Sequence, residues 1–154
     1  MATGDVKWFA QGLLDLGNKI HNLSSDTFML GIVTSATTPA IGTAAPHWGG
    51  TGTTNFATNQ VATGGTSYTG PKTLASVSWS IVSNEPTLRA TDISMAQDAS
   101  GFTNGLYGII FNNTDANKRA LGWVDFGTAR SLVTGSLLID WGGAGTDILK
   151  LTPA

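Results

Sequence analysis

Apolar and polar residues alternate with a period of two through most of the chain after Asp26, and this alternation is the strongest constraint on its fold. In the clearest example, the segment 73–82, Val77, Trp79 and Ile81 alternate with serines. Such alternation is typical of β-strands that bury one face. Further strands, separated by turn-forming residues, are predicted at 27–34, 87–95, 106–111, 119–126, 136–141 and 147–152. Seven or eight short strands of this kind indicate an antiparallel β-sandwich or barrel.

Residues near the N-terminus break this alternation and predict one α-helix, over about residues 5–22. The apolar residues of this segment recur at the 3,4,3,4 spacing that lines one face of a helix, namely at Val6, Phe9, Leu13, Leu16 and Ile20. Gly12 and Gly17 flank this apolar face. Because each glycine lowers the stability of a helix by about 1 kcal/mol relative to alanine, we expect both to mark a close approach of the helix to a sheet.

Several of the predicted strands are apolar on both faces. Leu106 and Ile110 lie on one side of the strand predicted at 106–111, whereas Tyr107 and Phe111 lie on the other. One face would pack in the core between two sheets. The other face has to be covered, either by the N-terminal helix or by another chain.

A segment rich in Thr and Gly, residues 35–72, interrupts the series of strands. Loops of this length in a small domain usually carry a function or contain one or two short strands. The segment holds a few large side chains among small ones, and tryptophan is enriched in protein interfaces. We therefore predict that four of these side chains, with a tryptophan from the polar side of the predicted helix, contact a partner: His47, Trp48, Phe56, Tyr68 and Trp8. The alternative is that the loop aromatics fold back as a lid over one end of the sandwich.

Charged residues are rare in this chain. Its 154 residues include 8 Lys and Arg and 10 Asp and Glu, which is 12%, against about 25% in an ordinary soluble domain. A globule of this size exposes roughly 7,000 Å², which leaves about one charge per 400 Å², and such a neutral surface is suited to burial against protein. The scattered basic residues form no stripe that would bind nucleic acid. The longest apolar run, 28–33, is far too short to span a membrane.

The residue types that usually carry catalysis or bind metal form no recognisable site in the sequence. The chain contains no cysteine, and neither His21 nor His47 has a second histidine or a carboxylate at metal-ligand spacing. The segment 113–117 alternates Asn and Asp as a calcium loop does, but the required glycine and bidentate glutamate are missing. A hydrolase would have to use Asp125 and Asp140, the best-placed carboxylate pair. We therefore expect no enzymatic activity, no cofactor and no metal.

A set of segments spread along the chain forms a distinctive combination. They are GNKIHNL at 17–23 followed by SDTF at 25–28, IIFNNT at 109–114, LGWVDFG at 121–127, GSLLIDW at 135–141 and the closing segment 147–152. Together they resemble small structural proteins of tailed bacteriophages, namely the capsid decoration, or cement, proteins. The resemblance covers most of the chain outside residues 35–72.

We expect a single domain, residues 1–154, in which the helix precedes a sandwich at about 26–152, and the resemblance implies that this sandwich is jelly-roll-like. It also implies a virion protein on the capsid exterior that binds the major capsid protein and reinforces contacts between its subunits. Copies of the chain would bind one another as dimers or trimers at the local symmetry axes of the shell. Neither nucleic acid nor a membrane is an expected partner.

A phage tail or fibre module that binds a host-surface glycan is the alternative function. Aromatic rings can stack on sugar rings, and Trp8 and Trp48 are the two tryptophans that the strand pattern does not place in the core. Trp79, Trp123 and Trp141 lie within predicted strands and are expected to be buried.

Overall fold

The computed structural model describes residues 6–141 and 147–151, which form antiparallel β-sheets, one small parallel pair of strands and one α-helix. The helix is α1 (Ala10–Gly17), and a 3₁₀ helix spans Phe56–Asn59. The strands are β1 (Lys7–Trp8), β2 (Phe28–Val33), β3 (Pro46–His47), β4 (Thr54–Asn55), β5 (Lys72–Thr73), β6 (Ser78–Val82), β7 (Glu85–Arg89), β8 (Ile93–Met95), β9 (Gly105–Asn112), β10 (Ala120–Arg130), β11 (Leu137–Ile139) and β12 (Asp147–Lys150). The prediction of a mainly β, sandwich-like fold with one N-terminal helix is confirmed.

The main layer is a five-stranded antiparallel sheet with the strand order β1-β10-β9-β2-β5. The opposing layer is formed by a three-stranded sheet, β12-β7-β6, and a two-stranded sheet, β11-β8. Alternate residues of the main sheet, such as Leu30, Ile110 and Val124, join Leu88 and Ile139 of the opposing layer in one buried cluster. This cluster is the sandwich core.

The second face of the five-stranded sheet is also apolar and also buried. Its side chains, including Ile109 and Trp123, form a smaller cluster with Phe9, Trp48 and Phe56. The expectation of strands with two apolar faces is therefore confirmed. The chain covers the second face itself, partly at the start of α1 and mainly with residues 35–72, which we call the lid.

The helix is shorter than predicted, since it begins at Ala10 and ends at Gly17. The residues before it are extended, because Lys7 pairs with Trp123 and thereby adds β1 to the edge of the main sheet. The segment 5–22 therefore contains both a strand and a short helix. The predicted start of the helix and its predicted apolar face are wrong. Within α1 it is Gly12 and Asp15 that are buried.

Gly12 explains how α1 packs on the sheet. A Cβ at this position would overlap the backbone oxygen of Leu121, so only glycine allows the helix to lie this close to β10. The predicted role of Gly12 is confirmed. Gly17 has open space around it, and the same prediction for that residue is wrong.

Two predicted strands are each divided in the structure. The segment 73–82 contributes its first residue to β5 and its last five to β6, while the segment 87–95 is divided between β7 and β8 of different sheets. The divisions fall where the chain crosses from one sheet to the next. The strands predicted at 27–34, 106–111, 119–126 and 136–141 correspond to β2, β9, β10 and β11, and the strand predicted at 147–152 corresponds to β12 up to Lys150, with residue 152 outside the described part.

Candidate interaction surface

The lid crosses the outer face of the main sheet as an ordered segment with its own hydrogen bonds. β3 and β4 pair in parallel within it. The side-chain oxygen of Asn55 accepts hydrogen bonds from the backbone N–H groups of Gly49 at 2.8 Å and Ala57 at 3.1 Å, which fixes the turn between Trp48 and the 3₁₀ helix. The lid thus contains short strands, one of the two possibilities for such a loop.

Trp48 and Phe56 anchor the lid from below. The indole of Trp48 stacks on Phe111, with ring centroids 5.2 Å apart and an interplanar angle of 3°. It lies over Gly31, where a Cβ would overlap the ring. Phe56 is fully buried, with its ring 5.8 Å from that of Phe9. Both aromatics therefore serve as the apolar cover that the strand pattern requires.

Tyr68, near the C-terminal end of the lid, is buried in the sandwich core rather than on the outer face of the main sheet. Its hydroxyl accepts a hydrogen bond from the backbone N–H of Ile32 at 2.9 Å and from Nε2 of Gln60 at 3.2 Å. Its ring packs edge-on against Phe102. Burial raises the pKa of the Tyr68 hydroxyl above its usual value, so the group acts as a neutral hydrogen-bonding partner at the edge of β2.

The positions of these side chains correct the predicted partner contacts. His47 is 3% exposed, Trp48 is 6% exposed, and Phe56 and Tyr68 have no exposed surface. Buried side chains cannot reach a partner, so the loop aromatics fold back onto the protein. Trp48 and Phe56 lie against the outer face of the main sheet rather than over one end of the sandwich. Trp8 is half-buried in β1 rather than on a polar helix face, and it packs against the sandwich core.

The outer surface of the lid is uncharged. No Asp, Glu, Lys or Arg occurs in the 45 residues from 27 to 71. Of the ionisable side chains in that stretch, His47 and Tyr68 are both buried. The run without charged residues is visible in the sequence, but only the structure shows that these residues lie together on one surface.

Exposed apolar residues of α1 extend this surface. The backbone N–H of Ala10 donates to the oxygen of Ile41 at 2.9 Å, which joins the helix to the lid. Ile41 is 67% exposed, and Leu13 and Leu14 are 45% and 57% exposed. We call these three residues, with the exposed lid residues of the segment 35–53, the neutral face.

A cavity of about 230 Å³ lies at the margin of the neutral face, between α1, the lid and the turn that joins β9 to β10. Its polar lining includes Gln11, Asp15 and Arg119. Asp15 is buried, and its Oδ1 accepts a hydrogen bond from Nε2 of Gln11 at 2.8 Å. Arg119 pairs with Asp115 at 3.8 Å. These contacts tie α1 and the turn between β9 and β10 to their own neighbours.

His21, next to Ile20 of the cavity lining, is buried. Its Nδ1 lies 3.2 Å from Nδ2 of Asn112, which also donates to Asp26 at 2.7 Å. Burial lowers the pKa of His21, although Asp15 and Asp115 act in the opposite direction. The cluster joins the segment after α1 to the end of β9.

The carboxylate pair considered for a hydrolase gains no support from the geometry. Asp125 lies in β10 of the main sheet, whereas Asp140 follows β11 of the opposing layer. One oxygen of Asp125 accepts a hydrogen bond from Gly127 at 2.8 Å, and the other lies 3.9 Å from Nζ of Lys7. Within residues 6–141 and 147–151, no three His, Asp or Glu side chains come together as a metal site.

The turn at 113–117 is held by its own side chains. Oδ1 of Asn113 accepts a hydrogen bond from Nζ of Lys118 at 2.8 Å, and Oδ2 of Asp115 accepts one from the backbone of Arg119 at 3.1 Å. The alternation of Asn and Asp therefore serves to build a β-turn.

No helix in the described part of the chain is long and apolar enough to cross a membrane. Comparisons with protein-family models, with curated proteins and with solved structures found no match for this chain.

Proposed function

We propose that this protein is a structural component of a bacteriophage virion that binds the outside of the capsid and reinforces contacts between major capsid subunits. The neutral face carries this proposal. It presents exposed Ile41, Leu13 and Leu14 beside an uncharged lid, and the lid is held in place by buried aromatics. A preorganised surface without charges is inexpensive to desolvate against another protein. The segments that resemble decoration proteins support the phage setting.

Reinforcement of a shell follows from binding equilibrium alone. A protein that binds the assembled shell, but not the free subunits, shifts the equilibrium toward the assembled state. When one copy contacts two neighbouring subunits, a modest affinity for each is sufficient, because the second contact is intramolecular. The proposal therefore assigns no catalytic residue, cofactor or metal to this chain.

The glycan-binding alternative has less support. Trp48 stacks on Phe111 and lies over Gly31, on the inner side of the lid, so its ring offers no open face of the kind on which a sugar stacks. Trp8 is half-buried and packs against the sandwich core.

The test uses capsids of a phage that encodes this chain, prepared without the protein, and measures binding by co-sedimentation. Ile41→Asp places a charge on the neutral face and is expected to weaken binding by at least about tenfold. Thr128→Asp adds the same charge at an exposed position in β10, outside the neutral face, and should leave binding unchanged.

The same capsids should be disrupted at a higher temperature when the wild-type protein is bound. Equal binding by both variants would reject the neutral face as the contact. Failure of the wild-type protein to bind the capsid, with a positive signal on a glycan array, would replace the proposal with the tail or fibre alternative.

A further inference from the structure

One edge of the three-stranded sheet is open. In the order β12-β7-β6, strand β6 pairs with β7 on one side, and no other strand of the described chain lies on its second side. The register between β6 and β7 runs without a shift from Ser78, opposite Arg89, to Val82, opposite Glu85. β6 is therefore a regular strand that can accept a neighbour.

The register shows which backbone groups of β6 point outward. Val82 and Glu85 close a two-residue turn whose residues, Ser83 and Asn84, both have positive φ angles of 51° and 68°. In such a hairpin the closing pair is hydrogen-bonded and pairs alternate from there. The N–H and C=O groups of Ser80 therefore face β7, as do those of Ser78 and Val82, while those of Trp79 and Ile81 face away from β7.

Pro86 gives an independent check on this assignment. It stands opposite Ile81, and its backbone oxygen accepts a hydrogen bond from the N–H of Leu151 at 3.0 Å, on the side of β12. Proline has no N–H to donate toward β6. The pair Ile81 and Pro86 is thus not hydrogen-bonded, and the polar backbone groups of Ile81 are directed outward.

The other edges of the two larger sheets carry features that discourage pairing, and β6 carries none. β1 and β5 are two residues long and contain Lys7 and Lys72, and β12 has a shifted register and contains Asp147 and Lys150. Short edges, charges and irregularities are the usual protection against strand addition. β6 reads Ser-Trp-Ser-Ile-Val, with no charge, proline or bulge.

An exposed apolar side chain lies on the outward edge. Ile81, in β6 itself, is 75% exposed. Trp79, two residues before Ile81 and hence on the same face, packs partly against the core. A strand added beside β6 would cover the exposed side of Ile81.

We propose that β6 pairs antiparallel with β6 of a second copy of this chain, about a two-fold axis at Ser80. Trp79 of each copy then exchanges two hydrogen bonds with Ile81 of the other, and the two three-stranded sheets become one sheet of six strands. In a two-fold pairing about Ser80, a charge at Ser80 would face its own copy, and a charge at Trp79 or Ile81 would have a like charge at the diagonal position of the other strand. The absence of charge on β6 is what favours a second copy over an oppositely charged partner strand.

This contact gives the homo-oligomer expected for a decoration protein a specific surface, and it is separate from the neutral face. Loss of pairing at β6 would leave the binding of a single copy to the capsid intact. Failure of one proposal is therefore distinguishable from failure of the other.

The first test measures the oligomeric state of the purified full chain by sedimentation equilibrium over a range of concentrations. Ile81→Lys places a charge opposite Trp79 of the other copy and diagonal to the lysine of that copy, and is expected to weaken the dimer by at least about tenfold. Ile41→Lys adds the same charge at a comparably exposed isoleucine on the lid and should leave dimerisation unchanged. Both positions are exposed, so circular dichroism should show unchanged folds.

The second test is a cross-link. The Ser80 residues of the two copies would form a non-hydrogen-bonded pair, with Cα atoms about 4.5 Å apart, a separation that a disulfide can bridge. The chain has no cysteine, so Ser80→Cys should give a disulfide-linked dimer under mild oxidation, faster than Thr128→Cys. A wild-type chain that stays monomeric, or equal cross-linking by the two cysteine variants, would overturn the proposal.

Discussion

The side chain of Asn112, which is fully buried, makes four hydrogen-bond contacts. Its Nδ2 donates to Asp26 and lies within hydrogen-bonding distance of His21, while its Oδ1 accepts from the backbone N–H groups of Thr114 at 2.9 Å and Asp115 at 3.2 Å. These oxygen contacts fix the orientation of the amide. His21 Nδ1 must therefore accept, which places the proton of the neutral ring on Nε2.

The contact makes the stability of the fold depend on the charge of His21. In the unfolded chain the ring titrates near its ordinary pKa of 6.5, whereas burial lowers the pKa in the folded chain. The neutral ring therefore contributes stability that is complete above the unfolded pKa and is lost as the pH falls through the lowered one. Protonation would also remove the acceptor that Asn112 uses.

We predict that the free energy of unfolding, measured by urea denaturation, decreases between about pH 7 and about pH 5, and that His21→Gln removes most of this decrease. Asp98 does not interfere, because three backbone N–H groups lower the pKa of its carboxyl to about 2. The stability that this carboxylate contributes is lost only at more acidic pH, as the pH falls from the carboxyl group's ordinary pKa toward a pKa of about 2. Equal slopes in the wild type and His21→Gln would assign the decrease to other groups.

At the scale of elements, the lid depends on one stacked ring. Trp48 packs flat on Phe111, fills the space over Gly31, and its backbone N–H donates to the oxygen of Lys118 at 2.9 Å. With Phe56, this side chain supplies the lid's buried aromatic contact with the outer face of the main sheet. The lid should therefore loosen as a unit when the ring is removed.

We predict that Trp48→Ala lowers the free energy of unfolding by about 3–5 kcal/mol, the usual range for removing a buried tryptophan. Limited proteolysis should then cut within the lid. Ile41→Ala, on the outer surface of the same element, should change stability by less than about 0.5 kcal/mol. A loss of less than about 1 kcal/mol for Trp48→Ala would show that the lid is held by its other contacts.

The sequence predicted elements well where a local pattern determines them. β2, β9 and β10 were found because alternation and turn residues lie within each strand and its flanks. The helix start was wrong because the spacing of Val6 and Phe9 fits a helix, while their backbone belongs with β1 and the start of α1. The lid could not be derived, since its pairing with β2, Phe111 and Lys118 joins residues far apart in the chain.

At the scale of the whole molecule, charged and uncharged regions are separated. Ion pairs connect β7 with β12, at Arg89 with Asp147 and Glu85 with Lys150, and connect Lys7 of β1 with Asp125 of β10. None of the ion pairs seen among the described residues involves the lid. The uncharged part of the sequence thus forms one neutral face. Because that face carries no charges, salt should have little effect on its contacts.

We predict that binding to capsids changes by less than about threefold between about 0.05 M and about 0.5 M NaCl, because the neutral face presents no charges for salt to screen. Co-sedimentation at each salt concentration measures this directly. Affinity that falls by more than about tenfold would mean that charged residues make the contact, and would move it from the neutral face to the surfaces around β7 and β12 or β1 and β10. Because Ile41→Asp introduces a charge into the contact, its residual binding should become dependent on salt, which the wild type's should not.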